Sequence, residues 1–426
     1  MMGACARSIR DAGRGVRLGL AFLSSLCALN SCDGSDAECV RSLPTGWRPI
    51  RTSGSLDLYD PRGVDPEFSV VRDPTRAGDL LVLSNSFAHD FRGEVAVVDA
   101  RSGKIEAHWI GPESPDDWSR AIGHRTIGVP DLDRDGVPDV LTLTQGEELW
   151  ALSLGTQSVL WRAPLELDHV LASGADLDGD GIADVYAAQW TSGGFDVVVL
   201  SGESGTRLRH VRVQPTSSFP HAVQFVRGVD LVVVPGRAGG IFVGVSNDEW
   251  RDPSARRPIL VLAQIDPDAS ASSWCSYVIL EPSETVLGAH LVTRRGDSAN
   301  GEVRVITSAS AFSLSVQGGV RRGRLALDDW DGAGLETAGR FSDLDGDGID
   351  EFWRKGDSAT EPGQPFAIGR RFIVHAGSTG AEIRRLESDR LFSFAVSEPE
   401  AAGSPRVYAT TLCLQSPVAE LAAWAR

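Results

Sequence analysis

Lysine is almost missing from this chain: Lys104 and Lys355 are the only two, and arginine carries nearly all of the cationic charge. That bias reads as the habit of a GC-rich genome and not as a functional signal. Cations as a whole are outnumbered, 41 Lys and Arg against 58 Asp and Glu, and the formal charge of −17 argues against a nucleic-acid partner, whose phosphates such a surface repels. Long apolar runs are also missing. The run from Leu18 to Leu29 stops short of the ~20 residues that a bilayer requires, so no membrane span is expected in the mature chain. Equally absent are G-x-S-x-G, H-E-x-x-H, a Walker A loop and a G-x-G-x-x-G that opens a helix; Gly202-Glu-Ser204-Gly205 has the wrong spacing for a nucleophile elbow. These gaps argue against a hydrolase of a common class, and no cysteine spacing suggests zinc.

Turn chemistry, by contrast, is abundant. The 46 Gly and 22 Pro, with Asp and Ser, bound many short Val/Ile/Leu runs, which is how an all-β chain with many turns is written. A length of 426 residues exceeds an ordinary single domain but suits a repeat protein that grows by adding units. At the N-terminus, Arg7, Arg10, Arg14 and Arg17 precede the apolar run, the pattern of a secretory signal, so residues 1–31 are expected to direct export and 32–52, small and polar, to form a tether. Leu29-Asn30-Ser31-Cys32 resembles a bacterial lipobox, which would make Cys32 a lipid-bearing first residue anchored to a membrane; Asn30 is a poor match, and ordinary cleavage is the alternative. Cys5 and Cys27 would leave with the signal. If Cys32 is lipidated, one of Cys39, Cys275 and Cys413 is unpaired; if not, Cys32 with Cys39 and Cys275 with Cys413 could form disulfides in an oxidising compartment.

One acidic loop occurs three times: Asp131-Leu-Asp133-Arg-Asp135-Gly136-Val137-Pro-Asp139, Asp176-Leu-Asp178-Gly-Asp180-Gly181-Ile182-Ala-Asp184 and Asp343-Leu-Asp345-Gly-Asp347-Gly348-Ile349-Asp-Glu351. Carboxylates at positions 1, 3 and 5, a Gly at 6 for a sharp turn, the backbone carbonyl at 7 (Val137, Ile182, Ile349) and an acid at 9 can wrap oxygen ligands around Ca²⁺. Without a cation, the clustered carboxylates would repel one another. The likeness to an EF-hand ends at position 12, where Thr142, Ala187 and Arg354 replace its bidentate Glu, and the residues after the loop are strand-like, as in Val140-Leu-Thr-Leu-Thr144. A strand-loop-strand calcium site fits better.

On these loops the chain resembles the FG-GAP or VCBS repeat family, the integrin-alpha-like β-propellers whose blades carry D-x-D-x-D-G-x-x-D loops between inner strands. The resemblance implies up to three structural Ca²⁺ ions, held by the side chains of Asp131, Asp133, Asp135 and Asp139; of Asp176, Asp178, Asp180 and Asp184; and of Asp343, Asp345, Asp347 and Glu351. Arg134 stands where the other copies have Gly, and Glu351 is longer than Asp, so the first and third sites are expected to be weaker than the second.

The first two loops start 45 residues apart (131 to 176), a blade period, and the third starts at 343, leaving room for three to four further periods. A strand-turn-strand element recurs at Val95–Ile105, Leu149–Thr156, Val197–Gly205 and Phe372–Gly380, with weaker versions near Ile259 and Phe312. The expected fold is an all-β propeller over residues 53–426, with seven blades (six or eight as alternatives) closed by strands from both ends of the chain. Ser55-Leu-Asp-Leu-Tyr59 is the expected N-terminal closing strand, and Gly228–Val232 and Asp297–Glu302 are expected as inner turns without metal.

His124 and His169 each lie seven residues before an acidic loop, and His221 and His290 open the apolar runs assigned to later inner strands. One expectation is a polar ring of these four at the channel mouth, binding a small ligand or metal; the other is that each bonds backbone at the rim. Trp109, Trp150 and Trp161 fall on repeated strands and read as packing between blades. The resemblance implies a binding or adhesion scaffold for a protein or glycan ligand at a bacterial cell envelope. The alternatives are a calcium-dependent polysaccharide lyase or a quinoprotein-like propeller enzyme.

Overall fold

The computed structural model describes residues 47–50, 53, 56, 67–72, 78–113, 118–146, 148–165, 170–191, 194–213, 227–234, 240–246, 258–265, 274–281, 284–294, 297–328, 335–357, 370–388, 391–397, 406–412 and 419–424. These form seven four-stranded sheets. After β1 (Trp47–Ile50), the first sheet holds β2 (Glu67–Arg72), β3 (Asp79–Asn85), β4 (Glu94–Asp99) and β5 (Ile105–Ile110). The second holds β6 (Arg125–Val129), β7 (Asp139–Leu143), β8 (Glu148–Leu152) and β9 (Val159–Pro164), and the third β10 (Val170–Ser173), β11 (Val185–Thr191), β12 (Gly194–Leu200) and β13 (Arg207–Val213). In the fourth are β14 (Arg227–Val233), β15 (Gly240–Ser246), β16 (Ile259–Ile265) and β17 (Trp274–Ile279); in the fifth, β18 (Val286–Arg294), β19 (Asp297–Thr307), β20 (Ser310–Ser315) and β21 (Arg321–Ala326). The sixth contains β22 (Leu335–Phe341), β23 (Glu351–Asp357), β24 (Arg370–His375) and β25 (Glu382–Ser388). In the seventh, β26 (Leu391–Ser397), β27 (Arg406–Leu412) and β28 (Ala419–Trp424) are joined by β1, in the order β1-β28-β27-β26. Every pairing is antiparallel, as at Val95↔Trp109 and Trp47↔Trp424.

The strand sequences explain the arrangement. A strand's side chains alternate between faces, so a continuous apolar run such as Val95-Ala-Val-Val98 can be buried only if both faces of its sheet are covered. Val95 and Val97 join Leu80 and Val82 in packing against Val140 and Leu152 of the second sheet, while Ala96 and Val98 join Leu81 and Leu83 against Tyr408 of the seventh. The same division recurs around the molecule, with apolar clusters between successive sheets. Edge strands β2, β6, β10, β14, β18 and β22 contact one another in that order, and β26 meets both β24 and β2. The chain is an all-β propeller.

The expected strand-turn-strand elements coincide with the third and fourth strands of the first six sheets. Two expectations are corrected. The N-terminal strand paired with β28 is Trp47–Ile50, inside the stretch that composition assigned to the tether; of Ser55–Tyr59 only Leu56 is described, and it packs against the first sheet. The stretches around Asp230 and Asp297–Glu302 are parts of β14 and β19 and not turns. Asp230 follows a bulge, and its carboxylate accepts the backbone N–H of Ala289 from the fifth sheet at 3.1 Å. Asp at such a place is written by the contact between sheets, which spacing along the chain does not reveal. Among the described residues, no helix is long and apolar enough to cross a membrane.

Candidate metal centres

Strands alternate in direction within each sheet, so turns joining its first strand to its second emerge at the same end as turns joining its third to its fourth. All three acidic loops are of the first kind, between β6 and β7, β10 and β11, and β22 and β23. They share one end of the propeller, and they share one wiring. In the second loop the position-1 carboxylate of Asp176 accepts the N–H groups of Gly179 (2.7 Å) and Gly181 (2.8 Å), and Asp180 accepts that of Ile182 at 2.7 Å. The third repeats this through Asp343, which takes Gly346 (2.7 Å) and Gly348 (2.9 Å). In the first, Asp131 takes Asp133 (3.2 Å), Asp135 (3.2 Å) and Gly136 (2.7 Å).

Positions 4 and 6 are left-handed in each copy. Gly179 and Gly346 lie at φ of 80° and 83°, and Arg134 is forced to 64° in the same place; Gly136, Gly181 and Gly348 lie between 85° and 88°. A side chain at these angles is strained, which is why glycine recurs there. Arg134 uses its side chain instead, donating from Nη2 to the carbonyl of Asp180 in the next loop at 2.6 Å.

The position-9 acid closes each loop from inside. Asp139, Asp184 and Glu351 are all 0 % exposed. Asp139 accepts N–H groups from Leu132 (2.7 Å) and Leu154 (3.1 Å), Asp184 those of Leu177 (2.7 Å) and Gly202 (3.1 Å), and Glu351 those of Leu344 (2.8 Å) and Asp345 (3.4 Å). Glycines of the adjoining third-to-fourth-strand turns make room: a Cβ on Gly155 would lie 1.7 Å from Asp135, one on Gly202 2.3 Å from the Ala183 carbonyl, and one on Gly377 2.1 Å from that of Asp350.

Burial pushes Asp139 up to about 7, Asp184 up to about 6 and Glu351 up to about 7, and the neighbouring carboxylates add to the shift while the backbone N–H bonds oppose it. Asp176, at the solvent side, is instead lowered, chiefly by the N–H of Gly181. Oxygens of Asp131, Asp133 and Asp139 lie within 4.8 Å of one another, as do those of Asp176, Asp178 and Asp184. In the third loop the converging set is Asp343, Asp345 and Asp347. In the first two loops an all-oxygen set that includes a buried acid resisting charge without a counterion fits a hard divalent cation; the third set is also all oxygen but does not include the expected ligand Glu351.

Two of the four histidines can be placed. His169 and His221 lie outside the described residues, as do Cys32 and Cys413; Cys275 is on β17. His124 sits just before β6, where Gln145 links its Nδ1 (3.1 Å) to Ser86 (3.0 Å) of the first sheet. His290 is on β18, three sheets further around, 7 % exposed and held well below the usual imidazole range by burial and by Arg304 and Arg340. A buried ring cannot line the mouth of a channel. Trp150 and Trp161 are buried, and the Trp161 indole donates to the Gly202 carbonyl of the third sheet at 2.8 Å, as packing between blades requires. Sequence pattern missed another group, His89, Glu94 and His108, whose ligand atoms also converge.

No family model matches the chain, and no curated protein matches it. Solved structures do. Raptor of Chaetomium thermophilum is 10 % identical with a TM-score of 0.54, covering 89 % of this chain and 29 % of Raptor. The structure of BBS1N in complex with ARL6DN, soaked with lead, is 9 % identical with a TM-score of 0.49, covering 90 % of this chain and 98 % of that one. BamB from Moraxella catarrhalis is 13 % identical with a TM-score of 0.41 over 81 % of this chain and 82 % of BamB. At these identities the likeness is one of fold alone.

Proposed function

We propose that this protein is an exported, calcium-stabilised propeller of seven blades, closed by β1 with β26 to β28, that serves as a binding scaffold for a protein or glycan at the cell envelope. The observation that carries the reading is the wiring common to the three acidic loops, each with a fully buried acid at position 9. Ca²⁺ held by Asp131, Asp133, Asp135 and Asp139, and by their counterparts from Asp176 to Asp184 and Asp343 to Glu351, would offset the charge that burial makes costly. The loops would then be rigid at one end of the ring, which leaves that end or the channel to present a ligand surface. Fold alone names no ligand.

Two measurements test this. Calorimetric titration with Ca²⁺ is expected to reach three equivalents and to lose one in each of Asp131→Asn, Asp176→Asn and Asp343→Asn. A glycan array and a pull-down from envelope proteins, each run with Ca²⁺ and with chelator, are expected to give calcium-dependent binding without turnover. Absence of calcium uptake sinks the reading at its base; consumption of a bound glycan replaces the scaffold by an enzyme. Lipid attachment has its own test: the exported chain should partition with membranes, and Cys32→Ser should release it.

A further inference from the structure

The cluster His89, Glu94 and His108 lies on the first sheet at the end opposite the acidic loops. Glu94 opens β4, and a single helical turn, Ala88–Phe91, occupies the connection from β3 to β4 just before it. Ala96 pairs with His108 in the register of β4 and β5, so Glu94, two residues from Ala96, is the diagonal neighbour of His108 on the same face. The Glu94 side chain is 0 % exposed, while both imidazoles are about a third exposed, so the carboxylate forms the floor and the rings the open rim.

Both rings turn the same atom inward. His89 Nε2 is 3.1 Å from one Glu94 oxygen and His108 Nε2 is 2.9 Å from the other. The rings do not stack on each other: their centroids are 6.3 Å apart at 47°. The backbone is also bent to place His89. It sits at φ 51°, and Phe91 at φ 68°, left-handed conformations that cost a non-glycine residue energy and that persist where something holds them.

We propose that His89, Glu94 and His108 form a binding site for a divalent transition-metal ion of the zinc class, separate from the calcium loops. Two imidazoles and one carboxylate, with a fourth position open to water, is the ligand set that such an ion takes at sites it does not fully enclose. Metal–ligand bonds of about 2.0–2.2 Å in a tetrahedron separate ligand atoms by roughly 3.3 Å, and the three ligand atoms here already lie within 4.8 Å of one another. A carboxylate floor without exposure and two imidazole nitrogens at the rim select against Ca²⁺, which prefers oxygen ligands throughout. The chemical class thus differs from that of the acidic loops.

The test uses the purified protein saturated with excess Ca²⁺, so that the acidic loops are filled, and titrated with Zn²⁺ against a chromophoric chelator. One equivalent of Zn²⁺ is expected, with two imidazoles in its first shell by X-ray absorption. His89→Gln and His108→Gln are each expected to weaken Zn²⁺ binding by more than about a hundredfold, beyond what a change outside the ligand shell usually does. Asp176→Asn should leave it unchanged. A wild-type protein that takes up no Zn²⁺ under these conditions, or a His89→Gln/His108→Gln double variant that binds it as tightly as the wild type, overturns the proposal. Circular dichroism of each variant verifies the fold; if His108→Gln fails to fold, His89→Gln, on a surface connection, gives the same reading alone.

Discussion

Two residues show how a repeated backbone constrains its side chains. Arg134 occupies the left-handed position that Gly179 and Gly346 hold in the other loops, and Gln157 at φ 55° holds the place in its hairpin that Gly205 and Gly380 hold in theirs. Each non-glycine uses its side chain to reach an adjacent sheet: Arg134 to the Asp180 carbonyl, Gln157 from Nε2 to that of Glu106 at 2.9 Å. Backbone strain and lost contact can be separated at Arg134. Arg134→Ala loses the contact and keeps the strain, whereas Arg134→Gly loses both, so the glycine variant should be more stable by about 1 kcal/mol in urea unfolding. His290 gives a different case. Neither of its ring nitrogens has a hydrogen-bond partner among the described residues, and it is neutral in its cationic surroundings. His290→Leu, of similar bulk, should therefore be neutral or stabilising by about 1 kcal/mol, and should leave metal binding intact, as melting and calcium titration would show.

At the scale of the element, the contact that matters is between one sheet and the next. Trp161 of β9 is buried in the cluster that includes Ile182, Val185 and Val198 of the third sheet, and a Cβ on Gly205 would lie 2.5 Å from its ring. Trp161→Ala should cost about 3–5 kcal/mol by urea unfolding, and Trp161→Phe much less, because only the bond to the Gly202 carbonyl and part of the volume are lost. A similar cost from both variants would mean that the hydrogen bond and not the packing governs this seam. The hairpins and acidic loops were legible in the sequence because their contacts close within a few residues: Asp131 bonds Gly136, and Asp139 bonds Leu132. The strand β1 was not, because Trp47–Ile50 finds its partner at the far end of the chain. His89, Glu94 and His108 were hidden for another reason. Their signal is a diagonal pair across β4 and β5, visible only after the hairpin register around Ser102 is fixed. Asp230 was misplaced because its partner, Ala289, belongs to the next sheet.

Across the whole molecule, the first and seventh sheets are tied to each other: the Tyr408 hydroxyl donates to Asp79 at 2.6 Å in a buried contact, and Tyr408→Phe should cost about 1 kcal/mol, because Arg406 Nη1 at 3.9 Å still faces that carboxylate. The acidic loops set a pH dependence of opposite sense to that of an ordinary paired carboxylate. Asp139, Asp184 and Glu351 have folded-state values of about 7, 6 and 7, above the 3.8 or 4.5 they take in an unfolded chain. Between those limits the folded state holds more protons than the unfolded state, so the unfolding free energy falls as pH rises. The metal-free protein should therefore lose melting temperature chiefly from about pH 6 to 7.5, with the penalty fully developed above that. The lowered carboxyls of Asp176 and Glu382 act the other way below this window, and the buried imidazoles of His290 and His375, held below the usual imidazole range, act the other way up to about pH 6.5, so the fall is steepest above that. On the proposed reading Ca²⁺ would compensate the buried charge, and at about tenfold above its Kd each site would add roughly 1.4 kcal/mol. The calcium-induced rise in melting temperature should be greatest above pH 7 and shrink toward pH 5, where protons compete for the same oxygens. Scanning calorimetry with Ca²⁺ and with EDTA from pH 5 to 8 decides it: a calcium increment independent of pH, or a metal-free melting temperature that climbs through this range, would show that the buried position-9 acids do not govern the stability of the ring.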